Sequence, residues 1–575
     1  RFQSLAPHSA ISHLLLLNGT DHHEPQPEVP SLIAIASPPD TKLIISNFPA
    51  YIASSLEEIN TQNINLPTVY GELRDPKRHH LLPGILSSRV WIKQRNHTCE
   101  TLLERWTEPF SAWADQIQHD DVDRTLWTGL LTTPRIRDPE GLINHAWKLL
   151  LQCHPHDSIC GCSVDQVHEE MRDRFDQVEQ IGEEITRQSL SAITEAVNTS
   201  TLKETGARSA LVVFNPNPQT CTGLAEVKFE LPAGLDPFEI VDDRGRLIPY
   251  RVLHREERSL ADMELDTEGL RALLATVQDG MVMGLSIQQV AVVRHPGHTL
   301  VDVVFAEGAE PNLDTVSEVG GVIEELMVED EVSSFRLHAH FATEITIQLV
   351  APDVPGHGYR SFGLRSATSN PSPMQKGTGQ TIENGLLHVE AQSDGVLSLK
   401  DLRTGANFKS LLRLSDQADR GDSYNFCPLE GDAPINTPAE PPRIHRFADD
   451  CGEVLEIEKH YQIPQSLNDD RTERSSTIVD LPIRIKAKLV HGIPRVDLEI
   501  KLENHADDHR LQTHFHAPFE VSEADYDGHF EIVRRSTKVP VAGSDWIEQP
   551  THEVPMRNFV AVRDKDQGLM ISTRG

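Results

Sequence analysis

Cationic residues are scarce in this chain. Its 575 residues hold 53 Lys and Arg against 87 Asp and Glu, a formal net charge of −34. Phosphate binding needs clustered cations, so the balance argues against a nucleic-acid partner and against binding to an anionic membrane surface. The excess acid reads most simply as a solubility device. Cysteine is scarce too: seven residues, at 99, 153, 160, 162, 221, 427 and 451. So sparse and odd a set excludes a disulfide scaffold and points to a reducing, cytoplasmic setting. No apolar run approaches the ~20 residues that span a bilayer. With 34 Gly and 37 Pro, the chain is neither collagen-like nor of low complexity. Also missing are a Gly-x-Gly-x-x-Gly fingerprint after a strand, a Walker loop, His-Glu-x-x-His and Gly-x-Ser-x-Gly. Nucleotide cofactors and serine-nucleophile hydrolysis therefore have no support.

What is present is multidomain, in keeping with ~100–200 residues per domain. Leu14–Leu17 reads as a buried strand, Val29–Ala36 as a helix, Lys42–Phe48 as a second strand and Ala50–Ile59 as a second helix. That order is the βαβ pattern of a parallel α/β sheet. Residues 1–84 are thus expected to be the C-terminal part of a larger α/β domain. From Leu86 to Ala196 apolar residues recur every three or four positions: Cys99, Leu102, Leu103, Trp106, Phe110; then Ile143, Trp147, Leu150; then Met171, Phe175, Val178, Ile185. Ser163 with Gln166 three residues on predicts a capping box for the last segment. A central three-helix bundle over 85–200 follows. Beyond Ala210 the period drops to two, clearest in Ile483, Ile485, Ala487, Leu489 and in Val496, Leu498, Ile500, Leu502. Turn signals recur at Asn384-Gly385, Asp394-Gly395 and Thr404-Gly405. The expectation is antiparallel β-sandwich structure over 201–375, with a short helix near Thr267–Val277, and a second sandwich over 376–575. Since the chain starts at Arg1 rather than Met and stops at Gly575 after an apolar run, both ends are expected to be cuts through a longer protein.

Two clusters could carry chemistry. Asn18-Gly19-Thr20-Asp21-His22-His23 follows the first apolar run, and ligands of open α/β sheets sit beyond the carboxyl ends of strands. Asp21 could serve there as a general acid or base, or simply cap a turn. The second cluster is Cys153-His154-Pro155-His156-Asp157. His-x-His-Asp puts two imidazoles and a carboxylate into four residues, donors that zinc accepts. Cys160 and Cys162 follow, but Cys-x-Cys is not the usual zinc-knuckle spacing, and four ligands within nine residues would crowd the metal. One histidine donated to a site assembled from distant segments is the stronger reading; polar residues at a frayed helix end are as good a reading of this stretch alone.

The ordered set of segments resembles glycoside hydrolase family 38, the zinc-dependent retaining α-mannosidases. Leu14–Gln26 (LLLLNGTDHHEPQ) is similar to the acid-bearing loop that closes the family's catalytic domain. Residues 71–104 (GELRDPKRHHLLPGILSSRVWIKQRNHTCETLLE) resemble the start of its helical domain. Ala146–Gly161 (AWKLLLQCHPHDSICG) resembles its zinc-ligand helix end. VPGHGY at 354–359, IENGLLHVEAQSDGVLSLKDLRT at 382–404, FEIVRR at 530–535 and GLMISTRG at 568–575 resemble its β region. The resemblance implies Asp21 as acid/base, His156 as a zinc ligand and Asp157 as a sugar-hydroxyl contact, with Arg89 as a supporting residue. The family's nucleophile and its other zinc ligands, a His-x-Asp pair, have no counterpart here and are expected upstream of residue 1. The chain alone is therefore expected to be inactive. The implied substrate is a mannoside, on a glycan or small; a mannosylglycerate-type hydrolase and a non-catalytic carbohydrate-binding scaffold are the alternatives. Self-association into a homo-oligomer is left open.

Overall fold

The computed structural model describes residues 2–36, 40–69, 72–119, 138–295, 298–326 and 334–574. Two units emerge, Arg1–Arg74 and Asp75–Gly575.

In the first unit two helices form where the sequence places them. Val29–Ala36 coincides with the expected helix, and Phe48–Gln62 contains the second. Asn47 caps the latter by accepting from the Ala50 N–H at 3.0 Å, and Pro49 sits in its first turn. Asn63, at φ 50°, ends it in the left-handed region. Glu58 ties this helix to the N-terminal segment: it accepts from Ser12 N at 2.7 Å and meets His13 Nδ1 at 2.5 Å. The Ser12 N–H and the His13 imidazole hold its carboxyl down at about 2. The strands are a correction. Among the described residues no strand precedes Ser209, and Leu17, Ile44 and Ile45 are 62–64% exposed. An apolar run becomes a parallel strand only when neighbours complete its ladder, which apolarity alone does not secure.

The second unit opens with helices. Val90–Thr101, a π turn over Leu102–Thr107 and Glu108–His119 make one continuous run. At the π turn, the buried Thr107 hydroxyl contacts Leu102 O at 3.1 Å, Gly182 O at 3.2 Å and Thr186 Oγ1 at 3.1 Å. A carbonyl freed from the α pattern is thereby satisfied. Pro139–Leu151, capped by Asp138, and the 31-residue helix Asp165–Glu195 complete this part. Ile92, Cys99, Leu103, Leu150, Met171 and Phe175 share one core at zero exposure, as the 3.6-residue period requires. The capping box does not form. Val164 occupies the N-cap without a side-chain bond, and Ser163 instead donates its N–H to Asp157 O at 3.2 Å. The preceding loop has taken that residue.

The rest is sheet. Ser209–Asn215, Gly358–Ser366 and Phe238–Val241 form one three-stranded sheet; Cys221–Glu230, Glu344–Val354 and Tyr250–Glu256 form another. They share a core of Leu211, Ile240, Ile347, Leu349 and Phe362. Two five-stranded sheets over residues 375–515 likewise share Val389, Leu412, Leu455, Ile485 and Ala487. The turn glycines 385, 395 and 405 adopt φ of 71–81°, the conformation that glycine takes without strain. Asp497–Leu502 departs from expectation: its apolar residues Leu498, Ile500 and Leu502 are 37–40% exposed, because it is the edge strand of its sheet. A further sheet runs in the order Ser259–Leu265, Phe335–Phe341, His298–Ala306, Leu285–His295, Met281–Val282. Its pairing of His298–Ala306 with Phe335–Phe341 is parallel, with the helix Leu313–Leu326 between them in sequence. Thr267–Leu274 is the short helix expected there.

Candidate functional site

The sequence-predicted site residues fall in both units. Asp21 belongs to the first. It opens a turn with His22, whose φ of 63° is left-handed, and both side chains are exposed.

His156 and Asp157 belong to the second unit. The helix Pro139–Leu151 ends before them, and Pro155 starts a five-residue helix, His156–Cys160, closed by Gly161 at φ 80°. Proline suits the start and glycine the end of such a turn. Around it the histidines differ sharply. His154 Nε2 lies 2.7 Å from Asn96 Oδ1, a structural contact. The His156 imidazole is 92% exposed, with Nε2 at 3.5 Å from Asp157 Oδ1. Cys162 donates its thiol to Asp157 Oδ1 at 3.5 Å.

Residues from the first long helix hold this loop. Arg89 Nε donates to Gly161 O at 3.1 Å, and its Nη2 reaches Asp165 Oδ1 at 2.6 Å. Lys93 Nζ donates to Cys160 O at 2.9 Å and also to Ser88 O. Burial pushes the Lys93 ammonium down to about 8. Arg89 itself sits at φ 45°, a strained position for a residue with a Cβ. Gly161 packs directly on it: a Cβ there would lie 3.1 Å from both Arg89 Cβ and Ser88 O. Gly161→Ala is therefore expected to destabilise the loop by about 1–2 kcal/mol from the left-handed conformation alone. Amide exchange at Asp157–Ser163 checks this, and unchanged protection would refute it.

Sequence reasoning missed Tyr424. Its phenol lies near the Cys162 thiol, whose proximity pushes the phenol's titration up, although the residues are 262 positions apart in sequence. Gly84 packs against the Tyr424 carbonyl, where a Cβ would come within 2.6 Å. No local pattern announces a contact between such distant segments. Burial raises the thiols of Cys160 and Cys162 above the ordinary cysteine range.

The loop presents one free imidazole and one carboxylate. That donor set suits a single edge of a zinc site and does not enclose an ion. Among the described residues, three ligand-type side chains converge elsewhere, at Asp302, His338 and His340. No helix among the described residues is long and apolar enough to cross a membrane.

The model of the alpha mannosidase middle domain matches residues 80–193, and that of the glycosyl hydrolases family 38 C-terminal domain matches residues 382–575. Together they cover more than half of the chain, and the first includes the His156–Asp157 loop. A putative mannosylglycerate hydrolase from Halalkalibacterium halodurans is 26% identical over 99% of this chain. The chain spans 57% of that relative's length. An alpha-mannosidase from Enterococcus faecalis V583 shares the fold, with a TM-score of 0.71 and 23% identity over 99% of this chain and 58% of its own. A second Enterococcus faecalis protein of glycosyl hydrolase family 38 matches at a TM-score of 0.66 and 21% identity over the same shares. On these two family-model matches the chain belongs to glycoside hydrolase family 38.

Proposed function

We propose that this chain is part of a retaining, zinc-dependent α-mannosidase that hydrolyses terminal α-mannosyl linkages. The observation that carries the reading is the middle-domain match across a loop that displays His156 and Asp157 to solvent. In this reading residues 1–84 complete a catalytic α/β domain, 85–200 form a helical bundle, and 201–375 and 376–575 are sandwich regions. Asp21 protonates the leaving oxygen and then takes a proton from water, the double duty of the acid/base in retaining chemistry. His156 donates one nitrogen to zinc, and Asp157 accepts a hydrogen bond from a sugar hydroxyl. Arg89 and Lys93 keep that loop in place through its carbonyls. Bound zinc would supply a template for sugar hydroxyls and charge stabilisation. The remaining ligands and the nucleophile are assigned to sequence outside residues 1–575. Seven free thiols accord with a cytoplasmic protein.

One observation favours a second reading. The Halalkalibacterium relative is named for mannosylglycerate, and it aligns over nearly the whole chain. Parallel kinetics on an aryl α-mannoside and on mannosylglycerate separate the two, using the enzyme that joins this chain to its nucleophile-bearing segment. A higher kcat/KM on mannosylglycerate selects the small-mannoside reading; no turnover of either overturns both. The 575-residue chain by itself is expected to turn over neither substrate, and measurable hydrolysis by it would disprove the placement of the nucleophile.

A further inference from the structure

A second cluster of metal-binding groups lies outside the His156 loop. Parallel pairing sets Asp302 opposite His338, and His340 follows two residues on along the same strand. The two-residue period of a strand then brings all three side chains to one face of the sheet. Asp302 Oδ1 is 2.8 Å from His338 Nδ1 and 3.1 Å from His340 Nε2. The two rings stack, with centroids 4.4 Å apart and planes at 22°. Side-chain exposures are 11% for Asp302, 23% for His338 and 5% for His340.

Each of the three is also held from behind. His340 Nδ1 lies 2.6 Å from Phe341 O. Glu257 Oε1 is 3.2 Å from His338 Nε2. Asp302 Oδ2 accepts the Gly234 N–H at 2.8 Å. A backbone carbonyl or a carboxylate on the outer nitrogen is the usual backing of a metal-ligating histidine, since it fixes tautomer and ring orientation.

Hydrogen-bond valence points the same way. Both nitrogens of each ring face an oxygen, yet a neutral imidazole has only one N–H. Thr343 Oγ1 also lies 3.3 Å from His340 Nδ1; in the tautomer whose outer nitrogens donate to Phe341 O and Glu257 Oε1, the inner nitrogens present lone pairs toward Asp302. A cation between them satisfies all three at once. We propose that Asp302, His338 and His340 bind a divalent transition-metal ion of the zinc class. Two imidazoles and one carboxylate favour Zn2+, Co2+ or Ni2+ over Mg2+ or Ca2+, which prefer all-oxygen sites. Three protein ligands leave one tetrahedral position to water. The ion would cross-link two strands that pair in parallel and, through Asp302, the Gly234 loop. This site is separate from the zinc proposed at His156 and does not depend on that assignment.

The test uses the 575-residue chain, stripped with chelator and titrated with Co2+ as the probe. The wild type should bind one equivalent with the visible d–d absorption of tetrahedral cobalt, and a His156→Ala variant should do the same. His338→Gln should weaken binding at least about tenfold, and Glu257→Ala by a similar factor through loss of backing. The second variant carries the test if the first misfolds. Added Zn2+ should raise the wild-type Tm and leave that of His338→Gln unmoved. The proposal falls if the wild type gives no saturable cobalt band, if either variant binds like the wild type, or if His156→Ala abolishes the signal.

Discussion

Changing Asp21 to Asn in the enzyme that joins this chain to its nucleophile-bearing segment is expected to lower kcat/KM by about 10²–10⁴-fold on a natural mannoside. That is the ordinary contribution of a positioned general acid. Cleaving a glycosidic bond pushes negative charge onto the leaving oxygen, and a poor leaving group cannot carry it without a proton. The loss should therefore depend on the substrate. A mannoside of an acidic phenol, which departs as a stable anion, should lose far less than an alkyl mannoside. The pH profile supplies the second signature: the decline of activity at high pH reports deprotonation of the acid, so it should disappear in the Asn variant. If Asp21→Asn keeps the full rate on alkyl mannosides, the acid/base assignment is wrong. A uniform loss across all leaving groups, with the pH limb intact, would instead make Asp21 a structural turn residue. Its place in an exposed turn beside a left-handed His22 makes that a real alternative to exclude.

The largest stability loss is expected from Arg474→Ala. Arg474 donates to Asp416 Oδ1 at 2.6 Å and forks onto Asp432 at 2.8 and 2.9 Å. The Asp416 side chain is 1% exposed and also meets His509 Nδ1. Removing the guanidinium leaves two carboxylates, one of them fully buried, with a single imidazole against Asp416. Breaking a buried pair in this way costs about 3–5 kcal/mol, because the orphaned charge keeps its desolvation penalty. Arg474→Lys should recover only part of it, since an ammonium is a point charge and cannot span both acids as the planar fork does. Urea unfolding followed by amide exchange on the strand Asn407–Ala418 measures the effect locally. A loss below about 1 kcal/mol would show that the network is solvated, like an ordinary surface pair.

Some of this structure was legible in the residues. The helix Val29–Ala36 was readable from local pattern, as were the amphipathic face through Met171 and Phe175 and the turns at Gly385, Gly395 and Gly405. In each case neighbours within four residues carry the signal. The strands expected at Leu14–Leu17 and Lys42–Phe48 failed for the opposite reason. A parallel strand is defined by partners remote in sequence, and apolarity alone does not provide them. Leu498 and Ile500 alternate as a buried face should, yet they lie on an edge strand, and a strand's own pattern does not tell edge from centre. The Ser163 capping motif was present in sequence, but the Asp157 loop had already engaged its N–H.

The candidate sites divide along the same line. Sequence by itself determined the family, the segments that bear Asp21, His156 and Asp157, and the chemistry those side chains offer, because ordered local motifs survive in a linear text. Only tertiary structure decided that His154 is a structural histidine while His156 faces solvent. It also brought Tyr424 to Cys162 and set Asp302 against His338 and His340. Those facts rest on strand register and on packing between segments tens to hundreds of residues apart. Register and packing are settled by the whole chain's competition for burial and hydrogen bonds, which no single stretch records.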